Sequence, residues 1–148
     1  MADLSASQLI TLANELNNDP KGLGYAGGKN NSQDANLLNT PGASNEKISA
    51  GLIPSWQVMD QIVQSEFILL TSPNQNLFLA YISAGYVDAA SSTTQANFVA
   101  MFPTATAPTT HANLVALVNR PATRGEILFG AGTIINSWDV GRALNRAT

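Results

Sequence analysis

Apolar positions along the chain recur at intervals of three and four, the spacing of helix faces. Leu9, Leu12, Ala13 and Leu16 form the first such face, with Ser5 or Ser7 as its cap. The helix ends at "NNDP", because Pro20 restricts Asp19 and cannot continue the turn. "SQDANLLN" predicts a short helix capped by Ser32 that turns Leu37 and Leu38 inward, and "NTPGASNEK" reads as a loop. The most apolar segment, "IPSWQVMDQIVQSEFILL", places Trp56, Met59, Val63, Phe67 and Leu70 on one face. Pro54 suits its first turn, and Gln64-Ser65 marks a candidate break.

The second half carries cleaner start and stop signals. Ser72-Pro73 reads as a cap and a first-turn proline, and "NQNLFLAYISA" aligns Leu77, Ala80, Tyr81 and Ala84 before a C-terminal Gly85. "STTQANFVAMFP" predicts a helix with Phe98, Val99 and Phe102 inward, closed by Pro103. "PTTHANLVALVNR" predicts another that buries Leu114, Leu117 and Val118. In "PATRGEILFG", Thr123 and Glu126 match a capping box. That short helix buries Leu128 and Phe129 and stops at Gly130. "GTIIN" is compatible with an extended segment. Asn136 or Ser137 then caps a last helix with Val140, Ala143 and Leu144 as its face. No strand pattern of any length survives. The expectation is an all-α fold, a compact orthogonal bundle of about seven short helices with no substantial sheet. It forms a single helical domain over residues 1–148.

Composition narrows the function. The chain is 45% apolar but only 11% charged, where about a quarter is usual. Asn, Gln, Ser and Thr carry the polarity, which suits a protein kept among fixed neighbours. A net charge of -3 disfavours a general nucleic-acid-binding role. The charge is uneven. Lys21, Lys29 and Lys47 lie in the first third, while Arg120, Arg124, Arg142 and Arg146 face only Glu126 and Asp139 in the tail. Helix-end charges and salt bridges explain that excess; an acidic partner surface is the sharper alternative. The absence of cysteine excludes disulfides, thiol catalysis and thiolate-metal sites. No run approaches the roughly 18 apolar residues of a membrane span. "MADLSASQL" has neither the basic region nor the apolar core of a secretion signal. The expectation is a soluble protein made in a cytoplasm.

"GLGYAGGKN" raises the question of nucleotide binding, since Gly22, Gly24 and Gly27 have dinucleotide-fingerprint spacing and Gly28-Lys29 follows. That chemistry needs a strand delivering the glycines to a helix N-terminus. Here a helix and a proline precede them. The phosphate-loop pattern also fails, with Leu23 where glycine belongs and Asn30 where a hydroxyl would hold magnesium. A helix-terminating loop with Leu23 and Tyr25 tucked against the core is the better account. His111 is the only histidine and reads as a surface or capping residue. Glu66, beside Phe67, reads as a partly buried acid. No catalytic, cofactor-binding or metal constellation emerges, and an enzyme is not expected. Trp56 and Trp138 are either core or interface anchors.

"NNDPKGLGYAG", "DANLLN" and "SEFILL", followed by "VDAASSTTQANFVAMFP", "THANLVALVNRPATRGEILFG" and "SWDVGRAL", resemble a family of small proteins encoded by tailed bacteriophages. The resemblance runs in order over nearly the whole chain. Its most recognisable signature is matched here by Arg120, Thr123, Arg124, Glu126, Leu128, Phe129 and Gly130. Gly125 departs from it, since alanine is expected there; glycine weakens a helix by about 1 kcal/mol. The resemblance implies a virion protein of the tail, baseplate or head-tail region, made in the host cytoplasm. Its expected partners are other virion proteins and copies of itself in a symmetric assembly. Head decoration is a structural variant, and an assembly chaperone or host-protein modulator is the non-virion alternative. The signature residues Arg120, Arg124 and Glu126, with Arg142, either fix how helices cross or make an intersubunit contact.

Overall fold

The computed structural model describes residues 3–25 and 28–146. In chain order the elements are α1 (Ala6–Asn18), α2 (Asn31–Asn39), β1 (Lys47–Ser49), β2 (Leu52–Pro54), α3 (Ser55–Asp60), α4 (Gln64–Phe67), α5 (Ser72–Ile82), β3 (Tyr86–Asp88), α6 (Ser92–Met101), α7 (Pro108–Val118), β4 (Asn119–Pro121), α8 (Arg124–Phe129) and α9 (Ser137–Leu144). Among the described residues there are therefore nine helices and four strands. This corrects the expected all-α bundle of about seven helices. β1 pairs with β4, and β2 with β3, in two two-stranded sheets. The fold is mixed, although mainly helical. Each strand has three residues, too few for alternation to register in the sequence.

Local chemistry sets the helix ends. Ser5 forms a reciprocal capping box with Gln8, and Asn30, not Ser32, does the same with Gln33. Thr71, not Ser72, caps α5, and Asn136 caps α9. Gly85 and Gly130 adopt positive φ at the helix ends where the sequence places them. The long apolar segment breaks at Gln61–Val63, earlier than expected, leaving α3 and α4 as separate short helices. That register buries Val58 and turns Trp56 and Met59 to solvent. Val99 and Leu77 also face outward, and Met101 and Phe78 take the interior.

The chain divides into two compact units, 1–48 with 121–148, and 49–120. The first packs Leu12, Leu16, Tyr25, Leu38, Ile135 and Val140 together. It joins α1 and α2 to α8 and α9. The second is centred on Phe78, whose ring meets Phe67, Phe98 and Phe102 edge-on at 5.7, 6.2 and 5.3 Å. Such pairs contribute about 0.5–1.5 kcal/mol each beyond their burial.

In this second unit α7 has no side-chain cap of its own, because Ala107 occupies the cap position. Glu66 of α4 fills the role. Its two oxygens accept the backbone N–H groups of Thr109 and Thr110 at 2.9 and 2.7 Å. The buried Thr110 hydroxyl in turn accepts the N–H of Val63, at the start of α4, at 3.0 Å. The two helix starts thus cap each other. Desolvation pushes the Glu66 carboxyl up, but hydrogen bonds from Thr110 and Thr109 outweigh it and bring its pKa down from 4.5 to about 2. A depressed carboxyl pKa stabilises the fold above the unfolded value and stops doing so as pH falls through the folded value. In E66Q one acceptor becomes an NH2 group facing an amide N–H, so the variant is less stable. Urea denaturation at a series of pH values should show the gap between wild type and E66Q steady above pH 4.5 and closing toward about pH 2. A gap independent of pH would count against this assignment.

Candidate functional site

The signature residues Thr123, Arg124 and Glu126 lie in and beside α8, in the first unit. Thr123 accepts the Glu126 N–H at 3.1 Å, and Glu126 Oε2 accepts the Thr123 N–H at 3.0 Å, closing the capping box. The other Glu126 oxygen accepts the Gly132 N–H at 2.9 Å and holds the loop after α8. Arg124 points to the opposite end of the sequence. Its Nε and Nη2 donate to the two oxygens of Glu15 on α1, both at 2.9 Å. Nη1 donates to Glu46 at 2.8 Å. Arg124 and Glu15 are both buried. Only the planar guanidinium fork can serve two carboxylates in this way.

The charges here depend on one another. Hydrogen bonding to Glu15 raises the Arg124 pKa against desolvation, with Glu46 adding to it. Desolvation opposes the Glu46 anion, but Ser44 and Arg124 outweigh it and its carboxyl titrates below the ordinary range. Tyr25 closes the cluster, donating to Glu15 Oε1 at 3.4 Å. Burial first, then the charges of Glu15 and Asp19, push its hydroxyl far above the ordinary range. Tyr25 is a donor at any ordinary pH.

Gly125 follows directly. A Cβ there would stand 3.0 Å from Ile135 Cγ1 and 3.4 Å from the Leu38 carbonyl oxygen. Ile135 is itself fixed, because the Asn39 amide donates to its carbonyl at 2.6 Å and accepts its N–H at 2.9 Å. The "GTIIN" segment is thus paired by a side chain rather than a strand. Glycine at position 125 lets α8 approach this segment.

The glycine-rich loop has an internal anion. Asp19 caps α1 in the left-handed conformation, and its carboxylate accepts the N–H groups of Leu23 and Gly24 at 2.7 and 2.8 Å. Gly22 and Gly24 have positive φ, while Leu23 and Tyr25 pack toward the core. Amides that a phosphate site would offer to its ligand already hold a carboxylate. Gly27 lies outside the described residues.

The remaining candidates lie apart. Trp138, on the first turn of α9, is half exposed, and Arg142 lies 3.9 Å from Asp139 one turn before it. Arg120 is part-buried in β4. Trp56 is 64% exposed on α3 of the second unit. The same unit also exposes Leu52, Met59, Ile68, Leu69 and Tyr86. His111 is held by its Nδ1 against the Phe102 carbonyl at 2.8 Å. Among the described residues no three His, Asp or Glu side chains gather to hold a metal. No protein-family model, curated protein or solved structure matches the chain.

G125A tests the close approach at α8. Helix propensity alone predicts a gain of about 1 kcal/mol; overpacking against Ile135 predicts a net loss of about 1–2 kcal/mol. Thermal denaturation reads the sign, and a raised melting temperature would contradict the packing account.

Proposed function

We propose that this protein is a structural subunit of a tailed-bacteriophage particle, in the tail, baseplate or head-tail region, and that it works by docking to other virion proteins. The phage source rests on the ordered sequence resemblance. The docking mode rests on one observation, the number of large apolar side chains that the second unit exposes, Trp56, Leu52 and Tyr86 among them. A chain with 11% charged residues has little self-repulsion to keep such a surface apart from others. Tryptophan and tyrosine are also the residues most enriched at binding hot spots. The signature charges Arg124 and Glu126 are engaged inside the first unit, and their role in this reading is to hold the fold that presents the surface.

Quantitative mass spectrometry of purified particles tests the proposal. The expected result is a fixed ratio to the portal subunit, which assigns the protein to the neck, tail or baseplate. A ratio near that of the capsid protein would make it a head decoration. Absence from particles, with abundance in infected cells, would overturn the structural reading in favour of an assembly chaperone or host-protein modulator.

A further inference from the structure

The β2–β3 ribbon turns one face inward. Its register sets Ile53 opposite Val87, and both are buried. Together they line a pocket of about 150 Å³ that lies within the second unit alone. Ala89, Phe98 and Leu114 extend its wall and are also buried. Val115 lines it too and is 45% exposed, so the space reaches the surface. Well-packed interiors keep few voids larger than a water molecule, and this one is several times that size.

The chemistry of the wall selects what can enter. The lining holds no Asp, Glu, Lys or Arg. Its polar members are Thr94, Gln95, His111 and Asn119. Three of them serve the protein's own backbone. Gln95 donates to the Ala89 carbonyl at 2.6 Å, Asn119 donates to the Val115 carbonyl at 3.1 Å, and His111 Nδ1 lies 2.8 Å from the Phe102 carbonyl. The rest of the wall is Ala, Val, Leu, Ile and Phe. An anionic or cationic group buried here would find no opposite charge, and burying an unpaired charge is costly. An apolar cavity of about 150 Å³ accepts one benzene ring.

We propose that this pocket is a binding site for a small uncharged aromatic molecule, one ring in size. Affinity comes from contact with the apolar wall, and the missing countercharge rejects ring compounds that carry a carboxylate, a phosphate or an ammonium group. The inference is independent of the phage placement and of the exposed docking surface, so its failure leaves both standing.

Amide NMR of the full-length protein titrated with benzene tests it. Benzene should give saturable shifts confined to the second unit and centred on Ala89, Phe98 and Leu114, with a dissociation constant of about 1 mM or tighter. Benzoate carries the same ring with a carboxylate, and should bind at least about tenfold more weakly. A89L and V115W enlarge two lining side chains, one buried and one partly exposed. Each should weaken benzene binding about tenfold or more. Melting curves show whether the variants fold, and the exposure of Val115 keeps V115W decisive if A89L disturbs packing. Shifts that do not saturate or that spread over both units, benzoate bound as tightly as benzene, or a folded V115W that binds like wild type would overturn the proposal.

Discussion

The fork of Arg124 on Glu15 spans 109 positions of sequence and ties together a unit made from the two ends of the chain. Its partners are also joined to others: Glu15 to Tyr25, and Arg124 to Glu46. Buried charges are costly unless every one has its partner, and removing one side of such a pair leaves the other unsatisfied. The position of α8 follows from this cluster. So does the close approach that Gly125 permits, and so does the loop that Glu126 holds through Gly132.

The second unit is organised differently. It is continuous in sequence, and its centre is a set of aromatic rings rather than a charge cluster. Its polar anchor is the reciprocal capping of α4 and α7 by Glu66 and Thr110. The short helices and strands of this unit leave large apolar side chains uncovered. The first unit commits Arg124 and Glu126 to internal order, and the second exposes more large apolar side chains than the first.

Much of this was legible where the chemistry is local. The Thr123–Glu126 box is readable, and the caps of α1 and α9 are narrowed to Ser5 or Ser7 and to Asn136 or Ser137, because a cap and its amide lie within three residues. Gly85 and Gly130 were readable because few other residues tolerate positive φ. Arg124 stood out, but its partners did not, since no spacing rule links it to Glu15 and Glu46. The strands were illegible at three residues each, and two of them contain proline, at Pro54 and Pro121. The α3 face was misread because the break at Gln61–Val63 depends on Thr110, 47 positions away. The sequence marks Asp19 only through Pro20, whereas its carboxylate organises the glycine loop.

A double-mutant cycle on R124M and E15L, read by urea denaturation, tests most directly whether the signature arginine holds the fold from within. Each single change should cost about 3–5 kcal/mol, because R124M leaves the buried Glu15 carboxylate without a cation and E15L leaves Arg124 with Glu46 alone. The double variant, which leaves neither charge of the pair, should recover part of the loss, with a coupling energy of about 2–3 kcal/mol. Near-neutral single variants and a coupling close to zero would contradict this account and return Arg124 to the role of an intersubunit contact.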